Sequence, residues 1–273
     1  MSVNRELQKK QAMDMLLTTS RTFFIPISRL PEGLQEAVSS GYLCMRAIDE
    51  IEDHPELPCE DKAHLLRSVS KILLNNLNHS EFTAVFHPYK SLLPEVTLCM
   101  EDWLSFCPTS VLPQIKKSTA IMAEGMADWA EKAWHIQTEE DLDNYTYYVA
   151  GLVGTMLSKI WVWYDGTQTD HDLAVAFGRG LQAVNIIRNR TEDVTRGAHF
   201  YPEGWGEQEM FAYARRNLAL ADLYTGAIAP GPILDFCKIP LILAHATLQV
   251  MAAGESKLSR AAVTELVGQV TRK

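Results

Sequence analysis

Two lines of polar side chains on helix-forming segments carry the chemistry this sequence offers. The first is Tyr42-x3-Arg46-x2-Asp49-Glu50-Ile51-Glu52-Asp53. At about 100° per residue, Tyr42, Arg46, Asp49 and Asp53 fall within roughly 60° of one another, on one stripe of one helix. Two carboxylates four residues apart can share a hard cation such as Mg2+, which favours oxygen ligands and keeps part of its water between carboxylates and substrate phosphates. The same spacing also describes a solvated acidic helix end. The second line is Gln182-x2-Asn185-x3-Asn189-x3-Asp193, set among Leu181, Ala183, Val184, Ile186 and Ile187. Its four polar residues align within roughly 80°. In such apolar company they need partners, either metal, water and diphosphate in a cavity or one another in a network that fixes helix packing. Arg188 and Arg190 flank this line, and Arg196 lies just past it.

Two weaker patterns accompany these. Tyr145-x2-Tyr148-Val149-Ala150-Gly151-Leu152-Val153-Gly154-x3-Ser158 places small residues in a smooth strip that suits either close helix packing or room for an apolar chain. Ser20-Arg21-Thr22-Phe23-Phe24 offers hydroxyls and a cation for phosphate oxygens, or a helix cap.

The elements that must position these residues are helices. Apolar residues recur at three-to-four spacing over 33–53, 60–77, 112–134, 139–164, 170–193, 207–227 and 231–254, with Pro and Gly in the gaps. Thr138-Glu139-Glu140-Asp141 reads as an N-cap with an acidic first turn. Alternating β-branched runs and hairpin turns are nearly absent. The expectation is an all-α bundle around a central cavity, one domain over 1–273, with no linker or repeat.

The chain has 273 residues, 47% hydrophobic and 22% charged, the profile of a globular protein with a large core. Its formal net charge of −9 argues against a nucleic-acid partner. An acidic chain that takes an anionic substrate needs metal ions or converging arginines at the site. Five cysteines, an odd number without metal-ligand spacing, read as reduced core thiols of a cytoplasmic enzyme. The N-terminus lacks a signal-peptide core, and 232–254 is interrupted by Asp235, Lys238 and His245, too much for a spanning helix. Peripheral contact with a membrane is left open, as is oligomeric state.

Five segments resemble one family in order and spacing: Ser20-Arg21-Thr22-Phe23, Tyr42 to Asp53, Tyr148 to Gly154, Asn185-Ile186-Ile187-Arg188 and Phe236-Cys237-x-Ile239-Pro240. The chain is similar to squalene and phytoene synthases from about Ser20 to Arg260, and most similar to the eukaryotic-type squalene synthases. The resemblance implies an isoprenoid synthase helical bundle whose cavity is lined by two acidic motifs on facing helices. It implies Mg2+ at Asp49 and Asp53 supported by Glu52, and a second metal and diphosphate site at Asn185, Asn189 and Asp193. It further implies diphosphate held by Arg46, Arg188, Ser20 and Arg21, with Tyr42, Gln182 and Phe236 lining the substrate site. Tyr145 or Tyr148 would stand near the developing carbocation. The implied reaction ionises farnesyl diphosphate and joins two molecules head to head into squalene or dehydrosqualene. Lys257-x2-Arg260 resembles the basic segment associated with NADPH, which the squalene outcome requires.

Two positions depart from the family pattern. Asn189 stands where the second motif normally begins with Asp, and removal of that charge weakens the expected metal site. Ala198 stands where a basic residue usually follows, so Arg196 substitutes only if the loop shifts. The resemblance therefore also implies an alternative, a prenyl diphosphate phosphatase releasing farnesol, and beyond it a bundle that binds prenyl lipids or a protein without catalysis.

Overall fold

A computed structural model describes residues 3–75, 80–255 and 257–271, with the side chains at 3, 4, 21, 80 and 271 outside that description. All regular secondary structure among the described residues is helical, and the only β-type pairing is an isolated bridge between His135 and His199. The chain gathers into two compact units, Met1–Trp134 and His135–Lys273.

The first unit runs α1 (Val3–Thr19), α2 (Arg21–Ile27), α3 (Leu34–Glu52), α4 (Cys59–Leu74), α5 (Ser80–Phe86), α6 (Glu95–Leu98), α7 (Met100–Phe106) and α8 (Leu112–Glu131). Its centre is α3. Gly33 starts this helix at φ +82°, a left-handed conformation that suits glycine, and the Glu36 carboxylate reaches back to the Gly33 N–H. Leu34, Leu43, Cys44, Ala47, Ile48 and Ile51 are all fully buried, each large one contributing about 1.5–3 kcal/mol by leaving water. Two hydroxyls fix neighbours to α3: Ser40 donates to the Trp103 carbonyl at 2.7 Å, and Thr97 donates to the Ala47 carbonyl at 2.8 Å.

The second unit runs α9 (Glu139–Thr146), a π turn over Tyr147–Gly151, α10 (Leu152–Asp165), α11 (His171–Thr195), α12 (Glu207–Gly226), α13 (Pro232–Ala252) and α14 (Arg260–Thr271). Thr138 caps α9 as its spacing predicts: its hydroxyl accepts from the Asp141 N–H at 3.1 Å while Asp141 accepts from the Thr138 N–H at 3.0 Å. The periodicity over 139–164 predicts one helix, but the π turn divides it. There Gly178 of α11 lies so close to the backbone of Ala150 and Gly151 that no side chain fits between. Among the described residues, Pro232–Ala252 is the one helix long and apolar enough to cross a membrane, with a mean hydropathy of 1.4, and 56% of that window is buried inside the protein.

All five cysteines are free thiols, with Cys44, Cys107 and Cys237 buried. Burial pushes the Cys107 thiol up to about 12. Burial, reinforced by Asp102 and Glu95, pushes Cys99 up to about 11. The folded chain keeps these protons after unfolded thiols lose theirs, so this contribution to stability is present below pH 9 and is lost as pH rises toward 12. Mass spectrometry after brief iodoacetamide treatment of the native protein near pH ~8.5 is expected to find Cys59 labelled first. Early labelling of Cys44 or Cys237 would contradict the packing described here.

Candidate active site

The wheel arithmetic for the first line holds in α3. Tyr42, Arg46 and Asp49 are half-buried and Asp53 is exposed, while Leu43, Cys44, Ala47, Ile48 and Ile51 between them face the core. Asp53 closes the helix, donating its N–H to the Asp49 carbonyl at 2.9 Å. The Arg46 guanidinium pairs with Asp49 one turn on and also with Glu50. Burial alone would lower the Arg46 pKa, but the two carboxylates outweigh it and raise the value. Burial is also the main reason the Tyr42 pKa is raised, with Ser20 acting in the opposite direction. The Phe23 ring lies 5.4 Å from that of Tyr42.

Ser20 takes the capping role: its oxygen accepts from the Phe23 N–H at 3.2 Å at the start of α2. The side chain of Arg21 lies outside the described residues. Glu52 does not join the stripe. It is 3% exposed, and its Oε1 accepts the Trp134 indole N–H at 2.7 Å. The Lys62 ammonium donates to the Glu52 carbonyl at 2.7 Å and lies 4.7 Å from the Trp134 ring centre. Asp49, Glu50 and Asp53 are thus the accessible acids of the line, while Glu52 is buried behind them.

In the second unit, Gln182, Asn185 and Asn189 are half-buried on α11 and Asp193 is buried. Arg188 bridges the two amides: its Nη2 donates to Asn185 Oδ1 at 2.8 Å and its Nε to Asn189 Oδ1 at 3.2 Å. Arg196 pairs with Asp193 at 2.9 Å, three residues back. A cavity of about 80 Å3 beside them is lined in part by Arg190, Asp193, Ala198 and Tyr201. The Arg190 guanidinium stacks 4.4 Å over the Tyr201 ring.

Tyr145 is 4% exposed and stacks on Phe200 with ring centres 4.8 Å apart, while Tyr148 is half-buried on the π turn with Tyr147 edge-on at 5.3 Å. Phe236 lies in the core, edge-on to Trp161 at 5.5 Å. The small-residue strip is filled by protein. A Cβ on Gly154 would sit 2.1 Å from the Ala174 carbonyl oxygen, and one on Gly151 3.1 Å from Val175. Ser158 donates to the Gly154 carbonyl at 3.0 Å. Close packing is therefore its role. Sequence reasoning missed Lys62 and Trp134, and gave Glu50 no role. The available signal was Lys62 itself, a lysine on the apolar face of α4 beside Ala63 and Leu66, where a buried ammonium must find acceptors.

The model of the squalene/phytoene synthase family matches residues 16–209. This chain belongs to that family. Among its relatives are the squalene synthase of Schizosaccharomyces pombe, 31% identical over 87% of this chain and 58% of its own length, and Botryococcus squalene synthase of Botryococcus braunii, 34% identical over 71% of this chain and 42% of its own. The chain thus spans about half the length of these squalene/phytoene synthase relatives. The structure of TcSQS with the ligand E5700 superposes with a TM-score of 0.80 over 97% of this chain and 86% of that one, at 24% identity. The crystal structure of a dehydrosqualene synthase in complex with ligand gives a TM-score of 0.63 at 16% identity, covering 98% and 96%. These likenesses establish the all-α isoprenoid synthase fold.

Proposed function

We propose that the chain works as one catalytic domain that ionises farnesyl diphosphate with Mg2+ and condenses two molecules head to head into squalene or dehydrosqualene. The observation that carries this reading is the line on α3, where accessible Asp49 and Asp53 share a face with Arg46 while every apolar neighbour points inward. Family membership supports it, and the relatives named above are squalene synthases.

The donor set fits a hard divalent cation. Asp49 and Asp53 would hold one such ion in the first unit, and Asp193 with the amide oxygens of Asn185 and Asn189 would hold a second in the other. An ion held by two carboxylates would complete its coordination with water and substrate oxygens. When bound, such a cation neutralises the leaving diphosphate as a Lewis acid. Arg188 holds diphosphate oxygens beside Asn185 and Asn189, and Arg46 keeps Asp49 oriented. The ring face of Tyr145 or Tyr148, of which Tyr148 is the more accessible, stabilises the allylic cation, and apolar surroundings keep water from it. Lys257 and Arg260, both exposed, are the candidates to receive NADPH where squalene is the product. On this reading the enzyme is cytoplasmic and meets its greasy product at a membrane surface.

Incubation with farnesyl diphosphate and Mg2+, with and without NADPH, followed by product analysis, tests the reading. Squalene or dehydrosqualene is expected; farnesol as the sole product would replace condensation by hydrolysis, and no turnover would sink both. Asn189→Asp is expected to lower the Mg2+ concentration for half-maximal turnover about tenfold, a fraction of the ~4 kcal/mol that a unit charge contributes at 4 Å near a protein surface. An unchanged Mg2+ requirement would show that the amide at 189 is no handicap.

A further inference from the structure

The last residues of the first unit hold an unusual backbone. Ala133 and Trp134 both take positive φ, 48° and 52°, a left-handed region that residues with side chains rarely occupy and that two in succession occupy only when their surroundings demand it. The Ala133 N–H donates to the Ala130 carbonyl and the Trp134 N–H to the Trp129 carbonyl, each at 3.0 Å, so the end of α8 is wound tightly under Trp134. That winding delivers the indole to the C-terminus of α3. The indole N–H meets the buried Glu52 carboxylate at 2.7 Å, and Lys62, itself 7% exposed, holds the Glu52 carbonyl at 2.7 Å and sits over the same ring.

We infer that Trp134 and Lys62 are positioning residues that clamp Glu52 and thereby fix the last turn of α3, the turn that presents Asp49 and Asp53. The inference rests on the metal-binding reading of those two aspartates. Glu52 lies between them in sequence but is turned into the core, so a restraint on its side chain and its carbonyl fixes the direction of both neighbours without touching a ligand. A partner behind a metal-binding carboxylate typically sets metal affinity over a 10–100-fold range.

Direct Mn2+ binding, followed by loss of the free-ion electron paramagnetic resonance signal in the presence of inorganic diphosphate, tests this without turnover. Trp134→Phe removes the N–H and keeps a ring; Lys62→Met removes the ammonium and keeps the stem. Both are expected to weaken Mn2+ binding about tenfold or more while the circular dichroism spectrum stays helical. Glu52→Gln retains an acceptor oxygen for the indole and is expected to bind within about twofold of the unmodified protein. Equal affinity in Trp134→Phe and Lys62→Met would overturn the clamp. A loss in Glu52→Gln matching theirs would also overturn it, by showing that Glu52 supplies charge rather than position. An unmodified protein that binds no Mn2+ would overturn the metal reading of Asp49 and Asp53 and the clamp with it. If Trp134→Phe fails to fold, the Lys62→Met and Glu52→Gln pair decides the question alone.

Discussion

Asp53→Asn and Asp49→Asn are each expected to lower diphosphate release from farnesyl diphosphate by roughly a thousandfold, the scale of losing one preorganised electrostatic partner of a developing charge. Each substitution keeps the size of the side chain and one oxygen. Neither residue lies in the core, so helix content and thermal midpoint should stay close to those of the unmodified chain. Asp49→Asn also removes one of the two carboxylates that Arg46 engages, leaving Glu50. Arg46 is thereby freer to turn outward, and the loss should be at least as large as for Asp53→Asn. Near-normal release in both variants would remove α3 from the chemistry.

The second large effect is structural. Gly178→Ala would place a Cβ 2.2 Å from the Ala150 carbonyl oxygen and 2.8 Å from the Gly151 nitrogen. Gly154→Ala would meet the Ala174 carbonyl oxygen at 2.1 Å. In both cases the obstacle is backbone, which cannot rotate aside, so the paired segments must separate. A cost of about 3 kcal/mol or more is expected, at the upper end for overpacking, read as a lower denaturant midpoint. Gly226→Ala, where nothing lies within 4 Å of the added carbon, serves as the control and should be neutral. If Gly178→Ala unfolds at the same denaturant concentration as that control, α11 does not sit against the π turn as described.

Long amphipathic helices were legible because their periodicity exceeds any accident of composition. α3, α8, α11, α12 and α13 begin and end within three residues of the expected positions. The helices between 80 and 106 were not legible. They are four to seven residues long and punctuated by Pro88 and Pro94, too short to complete a repeat. The N-terminal α1 reads as polar because it buries little beyond Ala12 and Leu16. In the candidate site, the direction of each polar line was readable from spacing within one helix. What each residue meets was not, since Trp134 lies 82 positions from Glu52. The choice between packing and space at Gly154 likewise turned on a neighbour on another helix, Ala174.

The two arginines of the polar lines keep unlike company. Arg46 is held by carboxylates, so its charge is cancelled within its own helix and the acids around it leave a surplus that draws cations. Arg188 is held by the neutral amides of Asn185 and Asn189, which orient the guanidinium without cancelling it. An amide at 189, where a carboxylate would cancel it, therefore leaves the charge of Arg188 in place while still offering an oxygen. A chain of net charge −9 thus keeps, on α11, a guanidinium whose positive charge its nearest hydrogen-bond partners do not neutralise.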